Sequence, residues 1–382
     1  MKFFAFHLMP YRHLDFEAAR DYRSYWVVLP NRFYDPAKGA TLYQEYIDQL
    51  VHAAKVGFDG ICVNEHHQTA YGLMPAPNLI ASVLIDRTRD MDVKIAVIGR
   101  ALPITSNPLT IAEEFAMLDN LSNGRLIAGF VRGIGCEYHS TEVNPIYSHE
   151  RFHEAHDLVT RAWTEPGPFA FEGDHYNFGV VNVWPRCVQT PRPPIWIPSQ
   201  GSGETIEWAA APERKYPVIM AFSPTEAVIR FHEAYRVQAE QYGYAISGDQ
   251  LGWSTPVYVA ETDEIAEREC AEHLESLFNN FFLIPPELMF PPGYTSIRSL
   301  QAMLAARKGL AAERARFKDL VARGNCIVGG PATVAEKIAA VNAKTGFKIM
   351  VPMIQFGTLP DALVKKSTQI FAEDVAPKLR AL

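Results

Sequence analysis

Cysteine is scarce: Cys62, Cys136, Cys187, Cys270 and Cys326 are five in 382 residues, with no CxxC spacing. An odd number so spaced gives no disulfide framework and no zinc knuckle, and it fits reduced thiols in a reducing compartment. Basic runs are missing too. No Lys/Arg stretch exceeds two residues, and 36 basic against 43 acidic residues leave a net charge of −7. Such a surface lacks a phosphate-backbone footprint, so nucleic acid is a poor partner. Apolar runs such as residues 281–286 fall far short of the roughly 20 residues needed to cross a bilayer. The opening MKFFAFHLMPYRH has one lysine and no small-residue cleavage site. It reads as a first strand, not a secretory signal, and a cytoplasmic location is expected.

Glycine is absent where an open nucleotide-binding sheet would place it. Met9, Pro10, Tyr11, Arg12 and His13 follow the first apolar run, so there is no GxGxxG turn. No repeat, low-complexity tract or linker divides the chain. What remains is ordinary for a globular protein, 48% hydrophobic and 21% charged. Short β-branched or aromatic runs predict eight strands, at residues 3–8, 58–63, 93–98, 125–130, 194–197, 216–220, 255–260 and 347–353. Amphipathic segments alternate with them at 42–56, 77–87, 109–121, 149–163, 205–211, 224–242, from 263 onward, and at 333–344. Strict alternation implies parallel strands with right-handed crossovers, and eight repeats close into a (β/α)₈ TIM barrel. One domain over 1–382 is expected. Three stretches interrupt the pattern: an aromatic loop at 11–39, a hairpin excursion at 169–194, and a helix-rich insertion at 267–325. The first and third are candidate lids, because loops after barrel strands lie on the catalytic face.

Glu65-His66-His67 follows the second predicted strand. An imidazole there suits general acid–base work, although a strand-capping histidine satisfies the same pattern. His149, His153 and His156 share a helical face, but HEAHD is not HExxH, and a mixed surface or rim face is the better reading. Ser199-Gln200-Gly201-Ser202-Gly203-Glu204-Thr205 follows the fifth strand and opens a helix. Small residues, a Ser202 cap and first-turn amides can cradle a phosphate; a flexible, well-capped turn is the alternative. Arg132, between Gly129 and the Gly133-Ile134-Gly135 turn, can reach a phosphate bidentately or pair with a nearby carboxylate.

Together these stretches resemble the bacterial luciferase-like monooxygenases, flavin- or deazaflavin-dependent TIM barrels. The resemblance is carried by Gly57-Phe58-Asp59 leading into Asn64-Glu65-His66-His67, by Ala101-Leu102-Pro103 through Asn107-Pro108, and by Met117-Leu118-Asp119-Asn120-Leu121-Ser122-Asn123-Gly124-Arg125. Phe130-Val131-Arg132-Gly133 with Glu137-Tyr138, the segment 201–210, residues 256–262 and the tail 371–377 extend it over nearly the whole chain. It implies FMN across the barrel mouth and a non-prolyl cis peptide between Ile98 and Gly99. It also implies phosphate contacts from Arg132, Gly201, Ser202, Gly203 and Thr205, with Val131, Tyr138 and Gln200 nearby and Gly99 under the flavin ring. His66 matches the histidine that the family links to chemistry. In the luciferases proper an acidic residue precedes the serine matching Ser202, whereas Gly201 stands here. Arg100 replaces an apolar residue and is free either to salt-bridge or to meet an anionic substrate. The implied activity is oxygenation of a small apolar or aromatic substrate by reduced FMN and O₂. A separate reductase would supply the FMNH₂, since no nicotinamide fingerprint is present, and further copies of the chain would form a homodimer or larger oligomer. An F420-dependent hydride-transfer enzyme and a non-catalytic flavin-binding protein are the rivals. A metal-dependent barrel hydrolase is a third, and it would want HxH rather than adjacent histidines.

Overall fold

A computed structural model describes residues 1–297, 301 and 314–382. Eight parallel strands close a barrel: β1 (Lys2–His7), β2 (Gly60–Val63), β3 (Lys94–Ala101), β4 (Leu126–Val131), β7 (Ile195–Ser199), β8 (Val218–Ala221), β9 (Leu251–Val259) and β11 (Ile349–Gln355). Closure runs from β8 to β9, then to β11, which pairs with β1. Every residue of β2, β9 and β11 is buried, as expected of strands covered on one side by the barrel interior and on the other by helices. All eight predicted strands are barrel strands.

Two differences are instructive. β9 begins at Leu251, four residues before the predicted start, because Gly252 reads as a breaker although it lies in register with Ile349 of β11. A short extra strand, β10 (Ile327–Gly329), pairs with the end of β9 and has too few residues to show any alternation.

The excursion between β4 and β7 does form an antiparallel hairpin, β5 (Phe169–Glu172) with β6 (Asn177–Val181). Helix α1 (Pro36–Lys55) starts inside the stretch read as loop, because Asp35 caps it by accepting from the Ala37 and Lys38 amides and Pro36 occupies its first turn. The other barrel helices, α2 (Pro77–Arg87), α3 (Pro108–Leu121), α4 (Gly135–Thr141), α5 (Ser148–Thr164), α6 (Gly203–Ala210), α7 (Thr225–Gln241) and α8 (Asp263–Ser276), follow their strands. α8 runs past residue 267 and ends in a wide turn over Leu277–Phe281. Of the expected insertion, 298–300 and 302–313 lie outside the described residues. Its described part is tied to the β1–α1 loop. Trp26 Nε1 donates to the Phe281 carbonyl at 2.7 Å, Ser24 Oγ to the Leu283 carbonyl at 2.8 Å, and Arg23 pairs with Glu287.

Candidate active site at the barrel mouth

The loop after β2 carries two carboxylate–histidine pairs. His66 Nδ1 lies 2.9 Å from Glu137 Oε1, and the other Glu137 oxygen accepts the His67 main-chain N–H at 3.1 Å. Glu137 is buried on α4. An ionised carboxylate only accepts, so the Nδ1 position of His66 carries the proton and Nε2 remains for proton exchange. His67 Nε2 lies 2.8 Å from Glu65 Oε1. Burial alone would depress this imidazole; its hydrogen bond to Glu65 and the charges of Glu65 and Glu137 outweigh that and raise it above its ordinary value. Glu65, itself buried, also accepts from the Ala101 amide at 2.7 Å and pairs with Arg100 at the end of β3. Arg100 is therefore committed to an internal ion pair.

Rings surround His66. It meets Trp26 and Tyr71 edge-on at centroid distances of 5.1 and 5.0 Å, and Trp26 stacks on Tyr71 at 4.7 Å. Tyr71 continues to Phe282 and Phe282 to Phe222, so residues from four separate loops converge over the mouth. His66 also forms part of the wall of a cavity of about 520 Å³ beneath the β1–α1 loop.

A second, smaller cleft of about 30 Å³ brings Val131, Arg132 and Thr205 together with His149, His153, Glu204 and Trp208. Of the expected phosphate residues, Arg132 and Thr205 line it, and Gly201, Ser202 and Gly203 do not. Ser202 caps α6, its Oγ accepting from the Thr205 amide at 3.2 Å, and Gly201 turns the chain with φ of +100°. Gln200, Gly201 and Gly203 are exposed at this helix start. Arg132 Nη1 donates to Ser148 Oγ at 2.9 Å and to the Tyr294 carbonyl at 2.5 Å, with its guanidinium 4.0 Å from the Tyr294 ring centre. Tyr138 supports Arg132 rather than facing the cleft: its hydroxyl donates to the Arg132 carbonyl at 2.5 Å. The Glu204 carboxylate accepts from Ser202 Oγ at 3.0 Å. Its helix-start amide, Ser202, His149 and Arg132 hold it below the ordinary carboxylate range. Burial pushes His153 down to about 4, and its ring lies parallel to Trp208. His156 faces inward, bonded to Tyr216 Oη at 2.8 Å.

The donor set fits a phosphate: one guanidinium, two hydroxyls and first-turn amides on an eight-residue helix. Glu204 uses two of those donors, Ser202 Oγ and its own helix-start amide, so a bound phosphate would compete with its carboxylate for them. The Ile98–Gly99 peptide is cis, at the position the resemblance implied. His66 and Arg132 line separate cavities that share no residue. Sequence reading missed Glu204 and Tyr294 as neighbours of Arg132, and it assigned His149 and His153 to a rim. Glu137 stood in the matching motif with no role attached.

Residues 24–348 match the model of the luciferase-like monooxygenase family. The alkanal monooxygenase alpha chain of Photobacterium leiognathi is 26% identical over 354 residues, covering 88% of this chain and 95% of that protein. Monooxygenase RslO1 from Streptomyces bottropensis superposes with a TM-score of 0.75 at 25% identity, over 99% of this chain and 100% of its own. The oxygenating constituent of 3,6-diketocamphane monooxygenase from Pseudomonas putida, solved in complex with FMN, shares the fold at a TM-score of 0.75 and 21% identity, over 99% of each chain. A barrel closed in the same way and a match over most of the sequence lead to one conclusion: the chain belongs to the luciferase-like monooxygenase family.

Proposed function

We propose that this chain is the oxygenase of a two-component system, using reduced FMN from a separate reductase, with O₂, to oxygenate a small apolar or aromatic substrate. It acts as one barrel domain, and the described part of its insertion within 267–325 helps cover the mouth through Phe282. The observation that carries the reading is the Glu137–His66 pair, a buried carboxylate holding an imidazole at the C-terminal mouth of a barrel of this family. When bound, reduced flavin supplies two electrons to O₂; one oxygen atom enters the substrate and the other leaves as water.

The chain's own residues do the rest. Arg132, Ser202, Thr205 and the first-turn amides of α6 would hold the phosphate, with Val131, Gln200, Gly201 and Gly203 beside it, and Gly99 would lie under the flavin ring. His66 Nε2 moves a proton to or from the reacting oxygen, with Nδ1 kept protonated by Glu137. Trp26, Tyr71, Phe222 and Phe282 exclude water from the mouth.

Anaerobic titration with reduced FMN and reduced F420, side by side, tests the cofactor. Reduced FMN is expected to bind, and tight binding of F420 alone would overturn the assignment. His66→Ala should retain flavin and lose product; an unchanged turnover would remove His66 from the chemistry.

A further inference from the structure

We infer that the cavity beneath the β1–α1 loop is the binding site for the organic substrate, and that its ligand is a neutral aromatic molecule bearing a hydroxyl or carbonyl group. The inference rests on the oxygenase reading only for the word substrate. The cavity and its ligand class stand on geometry.

The cavity measures about 520 Å³, within the roughly 300 to 1,000 Å³ of sites that enclose drug-sized ligands. Its wall is unusually aromatic, with Tyr11, Tyr25, Phe33, Tyr34 and Tyr43 joined by His66. Offset and edge-on ring contacts would hold a flat ligand there. No Asp, Glu, Lys or Arg lines it among the described residues. An ionised ligand would lose its hydration with no charged side chain in the wall itself, which disfavours carboxylates and amines even though the charge of Arg314 reaches Tyr25 from outside it.

The polar groups specify more. Tyr43 Oη donates to the Leu73 carbonyl at 2.6 Å and is engaged, whereas Tyr11 Oη accepts the Asp35 amide at 2.9 Å and keeps its own hydrogen. The Tyr25 and Tyr34 hydroxyls make no hydrogen bond among the described residues, and burial pushes both up, keeping them protonated donors. A ligand oxygen that reached either hydroxyl would satisfy it. Gly39 fixes where Tyr34 stands: a Cβ there would lie 1.8 Å from Tyr34 Oη. His66 is the connection to chemistry. Its Nδ1 is held by Glu137, so its remaining nitrogen is the one free to meet a ligand in this cavity.

The test uses 2-naphthol, naphthalene and 2-naphthoate as probes, titrated by calorimetry into the flavin-free full chain. Leu29→Trp fills the cavity from a loop position, and circular dichroism checks its fold. One 2-naphthol should bind per chain, with 2-naphthoate and the Leu29→Trp variant each weaker by about tenfold or more. In a Tyr25→Phe/Tyr34→Phe variant the preference for 2-naphthol over naphthalene should shrink several-fold. The NMR signals of labelled His66, assigned by their loss in His66→Gln, should shift on binding. Undiminished binding by folded Leu29→Trp, equal binding of the naphthoate, or unmoved His66 signals would each overturn the proposal. Because flavin is absent, these outcomes are separate from the fate of the oxygenase reading. That reading fails on the cofactor titration and on His66→Ala turnover.

Discussion

Glu137 grips two consecutive residues of the β2 loop at once, one oxygen 2.9 Å from His66 Nδ1 and the other 3.1 Å from the His67 main-chain nitrogen. Its backbone belongs to α4, after β4, so two barrel units with β3 between them fix one tautomer of the imidazole. Glu137→Gln keeps the shape, but its amide nitrogen can donate to Nδ1 and favour the opposite tautomer. Product formation should fall roughly 10- to 100-fold while flavin affinity stays within about twofold. Rapid-mix product assays alongside flavin titration check this; an equal loss in both would make Glu137 a general structural prop.

Arg132 and Glu204 make opposite contributions to the small cleft. Arg132→Ala should weaken FMN by about tenfold or more and leave riboflavin, which lacks the phosphate, nearly unchanged. Glu204→Gln removes the resident negative charge and should tighten FMN several-fold. Flavin fluorescence quenching reads both, and identical effects on FMN and riboflavin would place the phosphate elsewhere.

Asp119 is a stability element far from the mouth. Its buried carboxylate accepts the Val188 amide at 2.7 Å, the Gln189 amide at 2.9 Å and Gln189 Nε2 at 2.7 Å, pinning the chain that re-enters the barrel at β7. Asp119→Ala strands those donors and should cost roughly 3 kcal/mol in urea unfolding. A loss below about 1 kcal/mol would mean that water replaces the carboxylate.

Acid should destabilise the fold in a defined window. Burial pushes His7 and His232 down to about 4, and His153 likewise, so between about pH 4 and 6.5 the unfolded chain holds protons that the native state excludes. Stability therefore rises with pH across that window, by about 1.4 kcal/mol per pH unit for each such group, and levels off above it. His67 has the opposite sign: its raised value stabilises below pH 6.5, and that contribution fades as pH climbs through the folded value. His232→Phe keeps the buried ring and should reduce the proton slope by about one between pH 4.5 and 6. An unaltered slope in urea titrations would show that His232 titrates normally.

The barrel was legible because its strands are short apolar runs separated by amphipathic helices, a local signal. Boundaries failed where local signals conflict, as at Gly252, which sits inside β9, and at Asp35-Pro36, which starts α1 early. His66, Arg132, Ser202 and Thr205 could be named from strand ends and motif. Their partners could not. Glu137 lies 71 residues from His66 and Tyr294 162 residues from Arg132, and no periodicity links residues so far apart. The fate of Arg100 turned on Glu65, 35 residues earlier, which the same limit hid.

The seam between β1 and β11 joins the two ends of the chain: Lys2 pairs with Ile349 and Phe3 with Met350. During synthesis, then, the first strand waits for nearly the last, with one raw edge on β1 and another on β9. Such long-range pairing slows folding and exposes the nascent protein to self-association until the ribosome releases it. Fragments ending before Ile349 should accordingly collect in the pellet, and a soluble monomeric one would contradict this dependence on the final strand.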